Sequence, residues 1–276
     1  MKLKHVIRKY GIKAMDASGA SLARRMYLHK KHSSLSRIVC FHKISNKDAF
    51  EKKILLLTQN FHIVPLDLIV ENVGLHDKIT NLAITFDDGF LEQINLAAPI
   101  LKKYDVPATF FILSGSIGLS GETAAEFYRT KVGIDYAVGP TEKQIFELAS
   151  DPLFQIGCHT HNHLDLGKES DSRKIYNELT SSKSILEGIS RSEICHLAYP
   201  FGSKDNYSAM SEGMVLQAGF KSASTIIPGY ISENTPRTAL HRDSLDPEMK
   251  DSLFLSWLNG SYDTIKAFSD RLGVIK

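Results

Sequence analysis

Short apolar runs alternate with amphipathic segments along the chain from about residue 37 to its end. Seven runs have the length and the β-branched or aromatic content of buried strands: 37–41, 61–64, 82–86, 108–113, 154–158, 196–199 and 221–226. Segments between them, such as "AFEKKILLLTQN", "LEQINLAAPILKKY" and "DSRKIYNELTSSKSILEGI", carry apolar residues at helical spacing. Strands that alternate with helices predict an α/β fold, as either an irregular barrel or an open doubly wound sheet.

Composition is that of one globular domain with a modest extension: 276 residues, of which 43% are hydrophobic and 23% charged. The apolar stretches fall far short of the roughly 20 residues that a membrane-spanning helix needs. The first residues lack a continuous secretory core, so we expect the protein in the cytoplasm. Cys40, Cys158 and Cys195 are few and widely separated, which favours free thiols over disulfides.

Residues 1–36 form a basic N-terminal arm, which we separate from a catalytic domain at 37–276. Residues 1–37 contain ten Lys and Arg and one acid, Asp16, whereas the remainder is acidic. Apolar residues recur at helical spacing near the start: Leu3, Val6, Ile7 and Tyr10. A short helix of this kind either lies on an anionic membrane surface, at the inner face, or packs on the domain. No nucleic-acid-binding motif accompanies the basic residues, so we expect no nucleic-acid partner.

Two polar clusters follow predicted strands. Asp87 and Asp88 come after the strand 82–86, and "HTHNH", with His159 and His163, comes after the strand 154–158. Since the carboxyl ends of parallel strands meet at one edge of a sheet, the clusters should share a site. Adjacent carboxylates resist joint ionisation unless a cation compensates, and a divalent metal would do so. Two histidines four apart on a helical turn would point the same way, which gives three ligands with one Asp and leaves the other Asp as a base.

The motifs resemble those of the polysaccharide deacetylase family, the carbohydrate esterases with the NodB homology domain. "TFDDGF", "HTHNH", "PILKKYDVPATFFI" and "LAYPFG" carry the likeness, which covers roughly residues 37–245. The resemblance implies a distorted (β/α) barrel of about seven strands and metal-dependent removal of an acetyl group from an N-acetylated sugar. It assigns Asp87 as the general base and Asp88, His159 and His163 as ligands of a divalent metal, with Zn²⁺ the expected ion.

The chain departs from the family pattern at two places. Ala198 stands where many members have the arginine that orients the base, and we expect Arg242, in "TALHRDSL", to do that work. By resemblance, the Phe201 N–H of "YPFG" would hold the developing oxyanion. The general acid is either His42, in "IVCFHKI", or His241, in "ALHRD". "IVCFHKI" resembles a permuted branch whose histidine motif comes first, so His42 is favoured.

The sequence thus predicts a carbohydrate N-deacetylase of surface polysaccharide or glycolipid biosynthesis. Its substrate would be an N-acetylated sugar that is nucleotide-linked, lipid-linked or part of an oligosaccharide. Two alternatives remain: hydrolysis of another C–N bond, in a formamide or cyclic amide, and a noncatalytic carbohydrate-binding member of the fold. The Gly-rich and polar segment 114–140 would be a lid or a substrate-selecting loop.

Overall fold

A computed structural model describes residue 11, residues 19–135 and residues 137–265. This part of the chain contains eight strands: β1 (Ser36–Phe41), β2 (His62–Ile63), β3 (Asn81–Phe86), β4 (Ala108–Ile112), β5 (Phe154–Cys158), β6 (His196–Ala198), β7 (Ser222–Ser224) and β8 (Asp243–Ser244). All seven predicted strands are present, with β2 and β7 shorter than predicted. The eighth, β8, has only two residues and was not predicted.

The strands form one parallel sheet in the order β7-β6-β5-β4-β3-β1-β8, with β2 added beside β3. A bridge between Ser224 and Leu240 then ties the end of β7 to the residues that lead into β8. The Thr225 N–H donates to the Leu240 carbonyl at 2.8 Å across the same junction. The sheet therefore curves towards closure, and the predicted distorted (β/α) barrel is confirmed.

Helices surround the sheet: α1 (Ala20–Lys31), α2 (Lys47–Asn60), α3 (Leu66–Glu71), α4 (Ala98–Lys103), α5 (Gly121–Lys131), α6 (Glu142–Ala149), α7 (Ser172–Ser190), α8 (Ala209–Gln217) and α9 (Asp251–Leu258). Two predictions need correction. The segment "LEQINLAAPILKKY" is not one α-helix, because a π-helical turn at Gln93–Ala97 precedes α4. The segment 114–140 is not a bare loop, since α5 lies in it and buries Tyr128 against Phe90 and Leu113.

Alternate residues of the strands pack into two separate cores. Ile38, Ala83 and Phe111 lie in a cluster inside the barrel, whereas Val39 and Phe110 pack outwards beneath the helices. Side chains of a strand alternate between faces, and both faces of this parallel sheet are covered, so every residue of β1 and β3 is buried.

Helix α1 lies across the amino-terminal end of the sheet. The Ser21 hydroxyl donates to Ser261 at 2.9 Å, and His29 contacts the Asp77 carbonyl at 3.2 Å, just before β3. Residues 1–10 and 12–18, which include the predicted helix from Leu3 to Tyr10, lie outside the described residues. The boundary between residues 36 and 37 stays a prediction. Within the described chain, no helix is both long enough and apolar enough to cross a membrane.

Candidate active site

The two aspartates leave β3 in different directions. The Asp87 N–H still donates to the Phe41 carbonyl of β1, at 3.1 Å, so Asp87 continues the inward-facing side of the strand. Asp88 has φ 70° and Gly89 has φ 64°, which turns the chain sharply. A Cβ at Gly89 would lie 3.2 Å from Ile112, so glycine is required there on both counts. The turn separates two adjacent carboxylates, one towards β1 and one towards β5.

The histidine loop after β5 brings His159 and His163 together without a helix. The predicted helical turn is wrong, because Thr160 has φ 68° and His163 has φ 55°, outside helical geometry. The two imidazole rings nevertheless lie 5.1 Å apart between centroids. His161, between them, turns away, and its Nδ1 lies 2.8 Å from the Ser114 hydroxyl.

Backbone carbonyls fix the tautomers of both histidines. His159 Nδ1 donates to the Ala198 carbonyl and His163 Nδ1 donates to the Lys131 carbonyl, each at 2.8 Å. A carbonyl oxygen can only accept, so Nδ1 of each ring carries a proton, and Nε2 is the nitrogen that faces Asp88. Burial, followed by the neighbouring His159, lowers the pKa of His163 to about 4, which favours the neutral imidazole that binds metals.

The geometry of Asp88, His159 and His163 fits a divalent metal. His159 Nε2 lies 3.4 Å and His163 Nε2 lies 3.7 Å from the same oxygen, Asp88 Oδ1. In a tetrahedral zinc site with bonds of about 2.1 Å, ligand atoms are about 3.4 Å apart. All three residues are buried, and a buried carboxylate carries a charge that a cation between it and the two imidazoles would neutralise. These residues can hold the metal.

Arg242 and Asp87 form a buried, two-pronged ion pair. Arg242 Nη1 donates to Asp87 Oδ1 and Nη2 donates to Oδ2, both at 2.6 Å. The guanidinium is held in turn by the Thr225 carbonyl at 2.8 Å and the Thr85 hydroxyl at 3.2 Å. Burial would raise the pKa of Asp87, but the Arg242 charge outweighs it and keeps that pKa well below its usual range. Asp87 is therefore ionised and fixed in orientation.

The structure brings His42 to Asp87. His42 Nε2 lies 4.0 Å from Asp87 Oδ2, beyond hydrogen-bond distance, and its side chain is 39% exposed. Gln93 joins the two residues, because its amide donates to the carbonyls of His42 at 2.9 Å and of Asp87 at 2.6 Å. Sequence reasoning missed Gln93, whose only sign was a polar residue among apolar ones in "LEQINLAAP".

His241 lies elsewhere. Its Nδ1 is 3.2 Å from the Tyr230 carbonyl, and it lines a cavity with Leu28 of α1 and Leu35, which precedes β1. Those neighbours belong to the amino-terminal end of the barrel, whereas Asp87 and His42 follow the carboxyl ends of β3 and β1. Of the two histidines considered for the acid, the structure places only His42 beside Asp87.

Phe201 is the centre of a tight turn at the edge of the site. The Gly202 N–H donates to the Pro200 carbonyl at 2.7 Å, and Phe201 between them has φ 60°. The Phe201 ring is 46% exposed and lies 4.4 Å from the His163 ring. Among the described residues, no acceptor is found for the Phe201 N–H, so this donor is available to a ligand.

Backbone strain concentrates at this site. Seven described residues other than glycine have positive φ, and four of them are Asp88, Thr160, His163 and Phe201. Such conformations cost about 1–3 kcal/mol each and persist where the surroundings enforce them, often at functional sites. The barrel thus holds two candidate ligands and the candidate oxyanion donor in conformations that the local sequence does not favour.

A half-closed parallel barrel thus carries an Asp-Asp pair and two histidines at the carboxyl ends of its strands. Residues 76–221, more than half of the chain, match the family model described as polysaccharide deacetylase. The chain therefore belongs to the polysaccharide deacetylase family. It is 28% identical over 175 residues to the protein YxkH of Bacillus subtilis (strain 168), a match that covers 63% of this chain and 55% of YxkH.

The chain is also similar to the poly-β-1,6-N-acetyl-D-glucosamine N-deacetylase of Staphylococcus aureus (strain MRSA252). The two are 26% identical over 176 residues, which cover 60% of this chain and 57% of that protein. The chain thus spans little more than half the length of these curated relatives.

Among solved structures, the chain resembles the Streptococcus pyogenes deacetylase PplD in complex with acetate, with a TM-score of 0.64 and 21% identity. That match covers 81% of this chain and 97% of PplD. IcaB from Ammonifex degensii gives a TM-score of 0.65 with 19% identity, over 83% and 97% of the two chains. At these identities the likeness concerns the fold.

Proposed function

We propose that the protein is a metal-dependent hydrolase that removes the acetyl group from the nitrogen of an N-acetylated sugar. The observation that carries this proposal is the pairing of two carboxylates with different partners. Asp88 faces the Nε2 atoms of two histidines, as a metal ligand should, while Asp87 is ionised and oriented by Arg242. One carboxylate is thus equipped to bind a cation and its neighbour to accept a proton.

Each proposed role follows from the position of a side chain. Asp88, His159 and His163 would hold the metal, for which Zn²⁺ fits the imidazole and carboxylate donors. When bound, such a metal lowers the pKa of water and polarises a carbonyl group. Asp87 takes the proton of the water that attacks the acetyl carbon, since its carboxylate is ionised and oriented by Arg242.

The remaining steps fall to Phe201 and His42. The Phe201 N–H donates to the oxygen that becomes negative as the carbonyl carbon turns tetrahedral. His42 gives a proton to the departing sugar amine, since histidine is the side chain that most often transfers protons in general acid–base catalysis. The half-exposed His42 ring faces Asp87 from the solvent side and can move closer when substrate is bound.

The experiment is acetate release from a panel of N-acetylated nucleotide sugars, oligosaccharides and lipid-linked glycans. Metal-stripped and zinc-restored full-length protein are compared with Asp87→Asn and His163→Gln, and His161→Gln is the matched control from the same loop. We expect zinc-dependent acetate release that Asp87→Asn and His163→Gln abolish and His161→Gln keeps. His163→Gln should also lose bound zinc, whereas Asp87→Asn should retain it.

Other results would select the alternatives. Zinc-dependent release of formate, or opening of a cyclic amide, without acetate would identify hydrolysis of a different C–N bond. Sugar binding by the folded, zinc-loaded protein with no hydrolysis of any panel member would identify a noncatalytic carbohydrate-binding protein.

We also propose that α1 rests on an anionic membrane surface. Its outer face exposes Leu22, Met26 and Tyr27, by 52%, 64% and 63%, and ends at Lys30 and Lys31. This mixture of apolar and cationic side chains is complementary to anionic headgroups over acyl chains. Because α1 lies at the amino-terminal end of the sheet, the active site would face away from the bilayer. The substrate sugar would then project from the membrane rather than lie at its surface.

Vesicle sedimentation tests this contact. Phosphatidylglycerol vesicles should bind the protein at low salt and phosphatidylcholine vesicles should not, and Leu22→Asp with Met26→Asp should abolish binding. Leu216→Asp, at an exposed leucine of α8, is the matched control. Equal sedimentation of the control and the double variant would refute the contact. The cytoplasmic location stays a prediction, which cell fractionation checks.

A further inference from the structure

Cys40, at the end of β1, faces the active site although the proposed reaction gives it no role. Its sulfur lies 3.9 Å from His42 Nδ1, and His42 Nε2 lies 4.0 Å from Asp87 Oδ2. One donor atom from each of these three residues lies within 4.8 Å of the other two. Cys40 and Asp87 are buried, while the His42 side chain is 39% exposed and opens the group to solvent.

These three side chains form a donor set for a thiophilic metal. Thiolate, imidazole and carboxylate are together the donors that zinc and its heavier analogues prefer. With a metal–sulfur bond of about 2.3 Å and a metal–nitrogen bond of about 2.1 Å, tetrahedral geometry separates sulfur from nitrogen by about 3.5 Å. One metal can use only one of the two His42 ring nitrogens, and the three donor atoms lie within 4.8 Å of one another, which is wider than this value. Rotation of the exposed His42 ring can close such a gap.

We propose that Cys40, His42 and Asp87 form a second site for a divalent thiophilic ion, distinct from the site at Asp88, and that its occupation inhibits the enzyme. Binding replaces the S–H bond of Cys40 with a metal–sulfur bond, and the proton goes to solvent without any change of oxidation state. Inhibition rests on the proposed function, because the bound ion would occupy the carboxylate and the imidazole that we assign as base and acid.

Arg242 makes this second site the weaker one. Its guanidinium already donates to both oxygens of Asp87, although each oxygen keeps another lone pair for a metal. A fixed positive charge beside the site opposes a divalent cation, and no such charge contacts Asp88 among the described residues. The Asp88 site should fill first, and the Cys40 site should fill only with excess metal.

Metal binding by the full-length protein tests the site directly. Equilibrium dialysis against Zn²⁺ should give two bound equivalents for the wild type and one for Cys40→Ser and Cys40→Ala. With Co²⁺ as the probe, only the second equivalent should produce a thiolate-to-cobalt charge-transfer band. Cys195→Ser, at a half-buried thiol outside the site, is the matched control and should keep both the second equivalent and the band.

Inhibition is measured with the same proteins once acetate release is established. Excess Zn²⁺ should inhibit the wild type and Cys195→Ser, and the inhibitory concentration should rise by more than about tenfold in Cys40→Ser, since even an outer partner of a metal ligand is worth that much. One equivalent in the wild type, or an undiminished second equivalent in Cys40→Ala, would overturn the site while leaving the proposed function intact. A second equivalent lost in Cys40→Ser, without any inhibition by zinc, would overturn only the inhibitory role.

Discussion

Arg242 and Asp243 are consecutive residues, yet they belong to two different buried ion-pair clusters. Arg242 faces the inside of the barrel and holds Asp87. Asp243 faces outwards, where it pairs with Arg37 at 2.5 Å, and Arg37 also pairs with Asp263. We call Arg242 with Asp87 the inner cluster, and Arg37 with Asp243 and Asp263 the outer cluster. Both consist of arginine and aspartate, so differences in exposure and reactivity between them come from the residues around them.

The outer cluster encloses the Arg37–Asp243 pair, while Asp263 at its edge also lies 3.6 Å from the partly exposed Arg24. Trp257 donates its indole N–H to Asp243 at 2.9 Å, and the Arg37 guanidinium lies over the Tyr230 ring at 4.1 Å from its centroid. Arg37 and Asp243 are completely buried. Asp87 in the inner cluster, by contrast, borders the half-exposed His42. The enclosed Arg37–Asp243 pair stabilises the fold, whereas the inner cluster places the oriented carboxylate of Asp87 beside a residue that reaches solvent.

The largest expected effect is a loss of activity when the inner cluster is changed, with no such loss when the outer cluster is changed. Asp87→Asn should lower kcat/KM for acetate release by about 10²–10⁴-fold, because proton transfer by a positioned group is worth that much. Steady-state kinetics with zinc-loaded protein measures the loss. Asp263→Asn, the same replacement in the outer cluster, is the control and should keep the wild-type kcat/KM. Comparable losses of kcat/KM in both variants would show that the two clusters do not differ in their importance for the reaction.

The converse experiment removes the arginine of the outer cluster. Arg37→Met should lower the free energy of unfolding by about 3–5 kcal/mol, because it leaves Asp243 buried without a cation, whereas Asp263 keeps Arg24 at 3.6 Å. Urea unfolding measures this loss, and kcat of the folded fraction should be unchanged. A large fall in kcat with unchanged stability would show that the outer cluster also serves the reaction.

The pH dependence of activity tests whether Arg242 of the inner cluster keeps Asp87 ionised. Arg242 holds the pKa of Asp87 below its usual range, so the wild-type base stays ionised down to strongly acidic pH. In Arg242→Met, burial acts without the opposing charge and raises that pKa. The acidic limb of log kcat/KM against pH should therefore move to higher pH, and Arg242→Lys should shift it less. An unmoved limb in Arg242→Met would mean that Arg242 does not set the ionisation of Asp87.

The smallest effect concerns one hydrogen bond of the outer cluster. Trp257→Phe removes the donor to Asp243 but keeps an aromatic ring stacked on Tyr262. A hydrogen bond to a charged group is worth about 1.5–3 kcal/mol, so the free energy of unfolding should fall by that amount. Urea unfolding checks the value, with kcat expected to be unchanged. A fall in kcat would show that this hydrogen bond of the outer cluster also affects the reaction.

The sequence predicted the strands and the part of the site that are marked by residue patterns within short segments of the chain. Apolar runs marked the seven strands, and the position of Asp87 and Asp88 after one of them predicted a site at the carboxyl ends. The spacing of His159 and His163 correctly predicted that the two rings lie together, but it predicted the wrong local structure. Four residues suggested a helical turn, but the loop brings the rings together through positive φ at Thr160 and His163.

Features that depend on distant contacts could not be predicted from local patterns. Strand β8 has two residues, Asp243 and Ser244, and both are polar, so nothing marks it as a strand until β1 lies beside it. Gln93 and the Lys131 carbonyl act through hydrogen bonds to residues that the fold brings near. Arg242 was expected from the family resemblance, since Ala198 stands where many members have the arginine that orients the base.

Strand β8 has a consequence for the order in which the protein matures during synthesis. Arg242 meets Asp87 although the two residues are 155 positions apart in the sequence, whereas every proposed metal ligand precedes α7. Long-range parallel pairing forms late, because the chain must close a large loop before the contact stabilises it. A chain that has emerged only as far as β7 already contains Asp88, His159 and His163 but has no group to orient Asp87. The chain must therefore extend to the start of β8 before Asp87, the proposed base, can acquire the Arg242 contacts that orient it.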